Sequence, residues 1–210
     1  IASTGNGTDF GNLSVARGMP DATANDTRGL WAGGDTNKNV IDYFTIASTG
    51  NATDFGDLTE DKQSGGAVAN HFTAFFAGGG SYSNVICKVT IATTGNATDF
   101  GDLTQARSHV RGCANKTRGL FGGGTNGSSS NVIDYFNIDT VGNAADFGDL
   151  SVQRQRPGSC SNDNRGIFAG GYNAPVNNVI DYVTIATTGN ATDFGDLTYS
   201  VGGPAGCSGD

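Results

Sequence analysis

The chain has 210 residues, of which 34 are glycine and only 15% are charged, and its formal net charge at pH 7 is -8. This length suits one all-β domain. The acidic balance argues against nucleic-acid binding, which needs a basic stripe to replace the phosphate counterions, and no run of about eighteen apolar residues is present that would predict a membrane span.

A segment recurs along the whole chain. Ile91–Thr104 returns letter for letter at Ile185–Thr198 and with one change at Ile46–Thr59, and looser copies begin at Ile1 and Ile138. The spacings of 45, 45, 47 and 47 residues indicate a stack or ring of identical supersecondary units. We therefore expect a single domain over 1–210. Its repeats are approximately 1–45, 46–90, 91–137, 138–184 and 185–210.

The most regular repeat predicts four short antiparallel strands. Ser108–Asn115 is the first, Arg118–Gly123 the second, and Asn131–Ile138 the third and clearest, because branched and aromatic residues lie between turn formers. Gly142-Asn143 predicts a hairpin turn in which both residues tolerate positive φ, and Ala145–Leu150 forms the fourth strand. Four strands in about 46 residues are typical of a β-propeller blade.

The register also predicts how a ring would close. The last five residues, Gly206–Asp210, match Ser159–Asp163. To complete this repeat, 21 residues equivalent to Asn164–Thr184 would be needed before the next opening isoleucine. We therefore expect five blades, with the first and last segments of the chain sharing one blade that lacks its two middle strands. Such closure removes exposed sheet edges.

The repeats resemble those of the kelch family. The glycine pairs after the second strand are Gly33-Gly34, Gly78-Gly79, Gly123-Gly124 and Gly170-Gly171. The third-strand tyrosines are Tyr43, Tyr135 and Tyr182, with Lys88 in the second repeat. The fourth-strand aromatics are Phe10, Phe55, Phe100, Phe147 and Phe194, where kelch repeats usually have Trp. The basic residues before each blade are Arg17, Lys62, Arg107 and Arg154, with Val201 in the last repeat. The resemblance implies a kelch-like β-propeller.

The amino-acid sequence of the repeat is also similar to tandem arrays in structural proteins of marine bacteriophages and other large aquatic viruses. The segments Asn39–Ile46 and Thr94–Leu103 show this likeness. It implies a virion appendage, such as a tail fibre or a capsid-decorating protein, or an extracellular propeller. The implied partners are other virion proteins, cell-surface proteins or glycans.

The differences between repeats concentrate in one loop. From each opening isoleucine to the second glycine of the pair the count is constant, so the two-residue change in period lies between that pair and the third strand. Surface loops absorb insertions, whereas strands would lose register. The candidate binding residues in these loops are Asp35, Asn37, Tyr82, Asn126, Tyr172 and Asn173. We expect them on one rim, with Asn51, Asn96 and Asn190 of the hairpins on the opposite rim.

Two other sets of residues could in principle bind a metal ion. Cys113, Cys160 and Cys207 occupy one repeat position and could bind a metal, but without a Cys-x-x-Cys pair they are better read as small apolar residues. The Asp-Phe-Gly-Asp motif is oxygen-rich, as calcium prefers, yet aspartates in turns most often bond to local backbone N–H groups. We therefore predict no metal and no cofactor.

The sequence predicts a non-enzymatic structural and recognition module that contacts a host surface. The alternative is a lectin-like propeller with glycan-binding pockets, which would need an aromatic residue and an acid or amide recurring at one loop position. An enzyme would need unique polar residues, and these repeats are too alike to supply them. We further expect the aromatic residues of the strands to be buried between blades, including Trp31, Phe100 and Phe194.

Overall fold

The computed structural model describes residues 6–35 and 39–207, and in these ranges every regular element is a β-strand. Sixteen strands form four separate four-stranded antiparallel sheets, and in each sheet the spatial order is the chain order. The all-β prediction is therefore confirmed. We call the sheets units 1 to 4.

The four units have nearly the same layout. Unit 1 contains β1 (Asp21–Ala24), β2 (Arg28–Ala32), β3 (Val40–Thr45) and β4 (Thr53–Asp57). Unit 2 contains β5 (Gly66–Ala69), β6 (Thr73–Ala77), β7 (Val85–Thr90) and β8 (Thr98–Asp102). Unit 3 contains β9 (Arg111–Ala114), β10 (Arg118–Gly122), β11 (Val132–Asn137) and β12 (Ala145–Asp149). Unit 4 contains β13 (Gly158–Ser161), β14 (Arg165–Ala169), β15 (Val179–Thr184) and β16 (Thr192–Asp196).

The first strand of unit 3 begins later than the sequence predicts. In unit 3 it starts at Arg111 rather than Ser108, because Ser108 pairs with Thr125 of the neighbouring loop and His109 adopts a left-handed φ of 56°. The third and fourth strands are offset by a bulge, which in unit 3 falls between Ile133 and Asp134. A bulge sharpens the local twist of a sheet.

The first strands of the four units lie side by side, β1 against β5, β5 against β9, and β9 against β13. Each fourth strand, at the far side of its sheet, is therefore outermost. This arrangement is compatible with a β-propeller, in which blades pack face to face around an axis. The described part of the chain contains no helix long and apolar enough to cross a membrane.

The hydrophobic core consists of layers between neighbouring units. Between units 2 and 3, Phe75 and Phe100 meet Phe136, with ring centroids 4.9 Å and 5.2 Å from it. All three rings are at most 3% exposed. Such aromatic pairs add about 0.5–1.5 kcal/mol each beyond the area that they bury.

A buried ion pair lies inside three of the units. The guanidinium of Arg107 donates to the carboxylate of Asp134 and to the carbonyl oxygens of Gly123 and Val132, the last two at 2.9 Å and 2.8 Å. Units 1 and 4 repeat the ion pair with Arg17–Asp42 and Arg154–Asp181. Because the arginine lies in the segment that precedes its own first strand, the pair fastens that segment to the third strand.

Unit 2 replaces both members of this pair at once. Cys87 stands where the other units have aspartate, and Lys62 stands where they have arginine. Lys62 pairs instead with Glu60 at 2.7 Å and donates to the carbonyl oxygen of Val85 at 3.1 Å. A lone buried charge destabilises a protein strongly, and Glu60 supplies the carboxylate that Lys62 would otherwise lack.

Backbone hydrogen bonds between units explain the most constant part of the repeat. The hairpin between β7 and β8 reaches the outermost strand of unit 1, where Gly95 N–H donates to the Phe55 carbonyl oxygen at 2.7 Å. Asn96 Oδ1 accepts from Asp57 N–H at 3.0 Å. A Cβ at Gly56 would lie 2.5 Å from the Gly95 carbonyl oxygen. Only glycine permits this approach, so the motif is constant.

The described residues form four units rather than the predicted five. Residues near both ends of the chain occupy strand positions of a further unit without forming a sheet. Phe10 and Asn12 accept backbone bonds from Gly50 and Ala52, both at 2.8 Å, as a fourth strand does. Residues 1–5 and 208–210, on which part of the closure prediction falls, lie outside the described residues.

The prediction that every strand aromatic is buried is wrong at two positions. Phe55, Phe100 and Phe147 are at most 3% exposed, whereas Phe194, their equivalent in unit 4, is 58% exposed. Trp31 is only partly buried, unlike the phenylalanines at its position in units 2 to 4. The physical reason is that, in the part of the chain that the structure describes, no unit packs against the outer faces of units 1 and 4.

Candidate functional site

The strand order divides the loops into two sets at opposite ends of the strands. The β2–β3 loop and its equivalents leave the same end as the segments that join one unit to the next, and we call this end the connecting face. The β1–β2 turns and β3–β4 hairpins leave the other end, which we call the hairpin face. In unit 3 the link between Ser108 and Thr125 shows that a connection and a loop of the connecting face adjoin.

The predicted binding residues lie on the connecting face. Tyr82 and Tyr172 are 46% and 45% exposed, and Asp35, Asn126 and Asn173 are exposed as well. Asn37 lies outside the described residues. Asp35 also has a local role, because its Oδ1 accepts a hydrogen bond from Gly18 N–H at 2.6 Å.

The two longer loops are ordered by backbone pairing. Thr125 pairs with both Ser108 and Ser129, and at the equivalent place Tyr172 pairs with both Gln155 and Val176. The extra residues of units 3 and 4 therefore extend the connecting face as small pinned loops. Pinned backbone lowers the entropy lost when such a loop binds a partner.

Sequence reasoning missed a second variable position, at the inner end of the connecting face. Met19, Ser64, His109 and Arg156 occupy it, and all four have φ between 54° and 56°. Backbone bonds link them in sequence, as where Arg156 N–H donates to the His109 carbonyl oxygen at 2.9 Å. Non-glycine residues rarely adopt this conformation, and such residues cluster at functional sites. The residue type at this position differs in all four units.

His109 is held as a neutral imidazole. Its Nε2 lies 2.7 Å from Arg156 Nη2, and its Nδ1 lies 3.0 Å from Ser108 Oγ. Since a guanidinium only donates, Nε2 must accept and Nδ1 carries the proton. Burial, together with the charges of Arg156 and Arg111, lowers the pKa of His109 to about 4.

A buried carboxyl group lies beside these residues. Asp21 Oδ2 accepts from Gly65 N–H at 2.8 Å, and Asp21 Oδ1 lies 3.9 Å from Arg111 Nη1. Burial raises the pKa of Asp21 to about 6, although Arg111 acts in the opposite direction. Perturbed groups of this kind are frequent at binding sites. We call Asp21, Ser64, His109, Arg111 and Arg156 the inner cluster.

The hairpin-face asparagines have a structural role. Asn51, Asn96 and Asn190 are exposed, but each Oδ1 accepts a backbone N–H of the preceding segment or unit at 3.0–3.1 Å. In unit 3, Gly142 has a positive φ of 155°. The next residue, Asn143, accepts a hydrogen bond from Asp102 N–H through its side-chain oxygen, as the other three asparagines do from their partners. These asparagines therefore join each hairpin to the preceding segment or unit.

The aligned cysteines line an axial cavity of about 420 Å³. Cys113 is buried, Cys160 is half-buried and Cys207 is exposed, and no disulfide joins them. Burial raises the pKa of the Cys113 thiol to about 12, so it remains protonated and is a poor metal ligand. Within residues 6–35 and 39–207 no group of three or more potential ligand side chains is arranged for a metal.

The aspartates of the Asp-Phe-Gly-Asp motif bond to nearby backbone. Asp146 Oδ1 accepts from Gly148 N–H at 3.2 Å, and Asp193 Oδ1 accepts from Gly195 N–H at 2.8 Å. These are the local turn bonds expected of aspartate.

No family model matches this sequence, and a search of curated proteins finds no match to it. The likeness to kelch repeats therefore depends on the residues of the repeat and on the four antiparallel sheets.

Proposed function

We propose that this chain is a non-enzymatic recognition module, built as a kelch-like β-propeller, that binds its partner through the connecting face. The observation that supports this most is that the repeats differ from one another mainly at one face of the molecule and are nearly constant at the other. Length changes, exposed tyrosines and the inner cluster all lie at the connecting face.

The hairpin face joins neighbouring units. Its glycines and asparagines are engaged in backbone bonds between units, as at Gly95 and Asn96. A rigid frame that presents varied loops is a common basis of recognition. The exposed tyrosines supply large amphipathic contact areas at a low entropic cost, and the two arginines of the inner cluster supply positive charge.

We propose a virion appendage or another extracellular protein that contacts a host surface as the setting. This proposal comes from the likeness of the repeat wording to tandem arrays in viral structural proteins. Membrane-spanning helices and nucleic acid have no part in it.

The second candidate is a lectin-like glycan-binding propeller. Tyr172 and Tyr82 favour it, since exposed aromatic rings stack on sugar rings. They occupy different repeat positions, however, because the equivalent of Tyr172 in unit 2 is Gly80. Repeated identical sugar pockets would require one aromatic residue at one position.

The purified chain should be applied to a glycan array and to an array of cell-surface proteins, and each hit measured again with variants. We expect Tyr172→Ala and Arg156→Ala to weaken binding at least tenfold. Val141→Ala on the hairpin face, where the side chain is 63% exposed, should leave it unchanged. Binding that is lost only with the hairpin-face variant would contradict the proposal, and binding confined to the glycan array would favour the lectin.

A further inference from the structure

The outer faces of units 1 and 4 are made of the residues that form closed joints elsewhere. On unit 4, Phe194 is 58% exposed and Ile180 is half-buried, whereas Ile41, Ile86 and Ile133 at the same position are fully buried. On unit 1, Trp31 and Phe44 contact each other, with ring centroids 4.8 Å apart, and no further unit among the described residues covers them. We call these surfaces the open faces.

Two strand positions next to the open faces are already occupied. Residues 10–12 are bonded to the hairpin of unit 1 as a fourth strand would be. At the axis, Gly206 lies against the backbone of Ser159 in β13, the place of a first strand. A complete unit has four strands, so the second and third positions are free.

Two cavities border the free positions. One cavity, of about 420 Å³, is lined by Trp31, Phe44 and Cys207 among others. A second, of about 370 Å³, is lined by Trp31, Phe44, Phe10 and Leu13. Both end segments of the chain therefore border the same open face of unit 1.

The closed joints define what fits between the open faces. Between units 2 and 3, the second strand of unit 2 presents Phe75 and Ala77, and its third strand presents Ile86. The second strand of unit 3 presents Phe121 from the opposite side of its own sheet. An occupant must therefore be a two-stranded hairpin, with an isoleucine on its third strand facing Trp31 and an aromatic residue on its second strand facing Phe194.

The chain also specifies the charge of this hairpin. Val201 stands at the position of Arg17, Arg107 and Arg154, and its carbonyl oxygen accepts from Gly171 N–H at 2.9 Å, as the Arg154 carbonyl oxygen accepts from Gly124 at 2.9 Å. Valine cannot neutralise an aspartate. A buried carboxylate without a partner is strongly unfavourable, and Cys87 of unit 2 shows that a neutral residue can occupy the aspartate position.

We propose that the two open faces bind a β-hairpin with the pattern of this repeat's second and third strands, supplied by another repeat unit, that carries a neutral residue where units 1, 3 and 4 have aspartate. The proposal depends on the joints between units and not on binding at the connecting face. Failure of one would therefore leave the other standing.

The test uses a peptide with the sequence of residues 164–184 in an acidic form, unchanged, and a neutral form, Asp181→Ala. Trp31 is the only tryptophan of the chain and the peptide has none, so tryptophan emission reports coverage of the open face. We expect a shift to shorter wavelength, with the neutral peptide bound at least tenfold more tightly than the acidic one. The variant Val201→Arg should reverse this preference, and Phe194→Asp should weaken binding of both peptides.

A second measurement does not depend on peptide solubility. Each form of the 21-residue segment is appended after Asp210, and thermal unfolding is compared with that of the original chain. The neutral extension should raise the melting temperature more than the acidic one. Equal effects of the two forms, or no effect of either in both assays, would overturn the proposal. A dimer of the chain alone that buries Trp31 and dissociates with Phe194→Asp would also overturn it, because the occupant would then be a second copy.

Discussion

Truncation of Phe100 tests whether packing between units stabilises the molecule. The ring is 1% exposed and lies 5.0 Å from Phe75 and 5.2 Å from Phe136, centroid to centroid. Phe→Ala at a buried site lowers the free energy of unfolding by about 3–5 kcal/mol, a large part of the roughly 5–15 kcal/mol typical of a domain. At about 2–4 °C per kcal/mol for a chain of this size, we expect Phe100→Ala to lower the melting temperature by about 6–20 °C.

The chain contains its own matched control. Phe194 occupies the same repeat position in unit 4 and is 58% exposed, so Phe194→Ala should change the melting temperature by only a few degrees at most. Tyr172→Ala, in an exposed loop, should leave it almost unchanged. Calorimetry or circular dichroism of the three variants decides the matter. Equal small shifts at positions 100 and 194 would refute the packing argument, and the phenylalanines would then be a surface ladder.

Three further predictions concern the contacts inside and between units. Gly101→Ala should lower the melting temperature far more than Gly189→Ala, because φ is similar, at 151° and 154°, but only at Gly101 would the Cβ meet backbone, 2.2 Å away. Arg107→Met leaves Asp134 buried without its partner and should destabilise the chain by about 3–5 kcal/mol, and adding Asp134→Leu should restore much of this in denaturant titrations. Folding raises the pKa of Asp21 from 3.8 to about 6. Between these pH values the folded state keeps a proton that the unfolded state releases, so the free energy of unfolding falls as pH rises through this window. Asp21→Asn should therefore be more stable than the parent above pH 6, with the difference vanishing towards pH 4 in a melting series.

The sequence predicts the repeat well because most of its bonds are local or recur at each joint. The glycine pairs, the four strands and the burial of Phe55, Phe100 and Phe147 all follow from residues that recur in register. The exposure of Phe194 does not follow, because an identical motif has a different environment when no unit covers it. The residue type determines which contacts a side chain can make, and the presence of a neighbouring unit determines which of them it makes.

The candidate site was only partly predictable for a related reason. Insertions are visible in a sequence, so the loops that hold Tyr82 and Tyr172 were found from length alone. The inner cluster has no insertion. His109 and Arg156 come together because two connecting segments 47 residues apart pass side by side, and their shared left-handed φ is a property of the backbone.

Hydrogen–deuterium exchange of the chain, alone and with a ligand found on the arrays, tests most directly that the hairpin face holds the units together while the connecting face binds. In the free chain we expect slow exchange at Gly95 and Gly142, whose amides bond to the neighbouring unit, and fast exchange at Tyr82. With ligand, new protection should appear at residues 79–84, 124–131 and 171–178. New protection confined to the hairpins, at residues 93–97 and 140–144, would contradict the account.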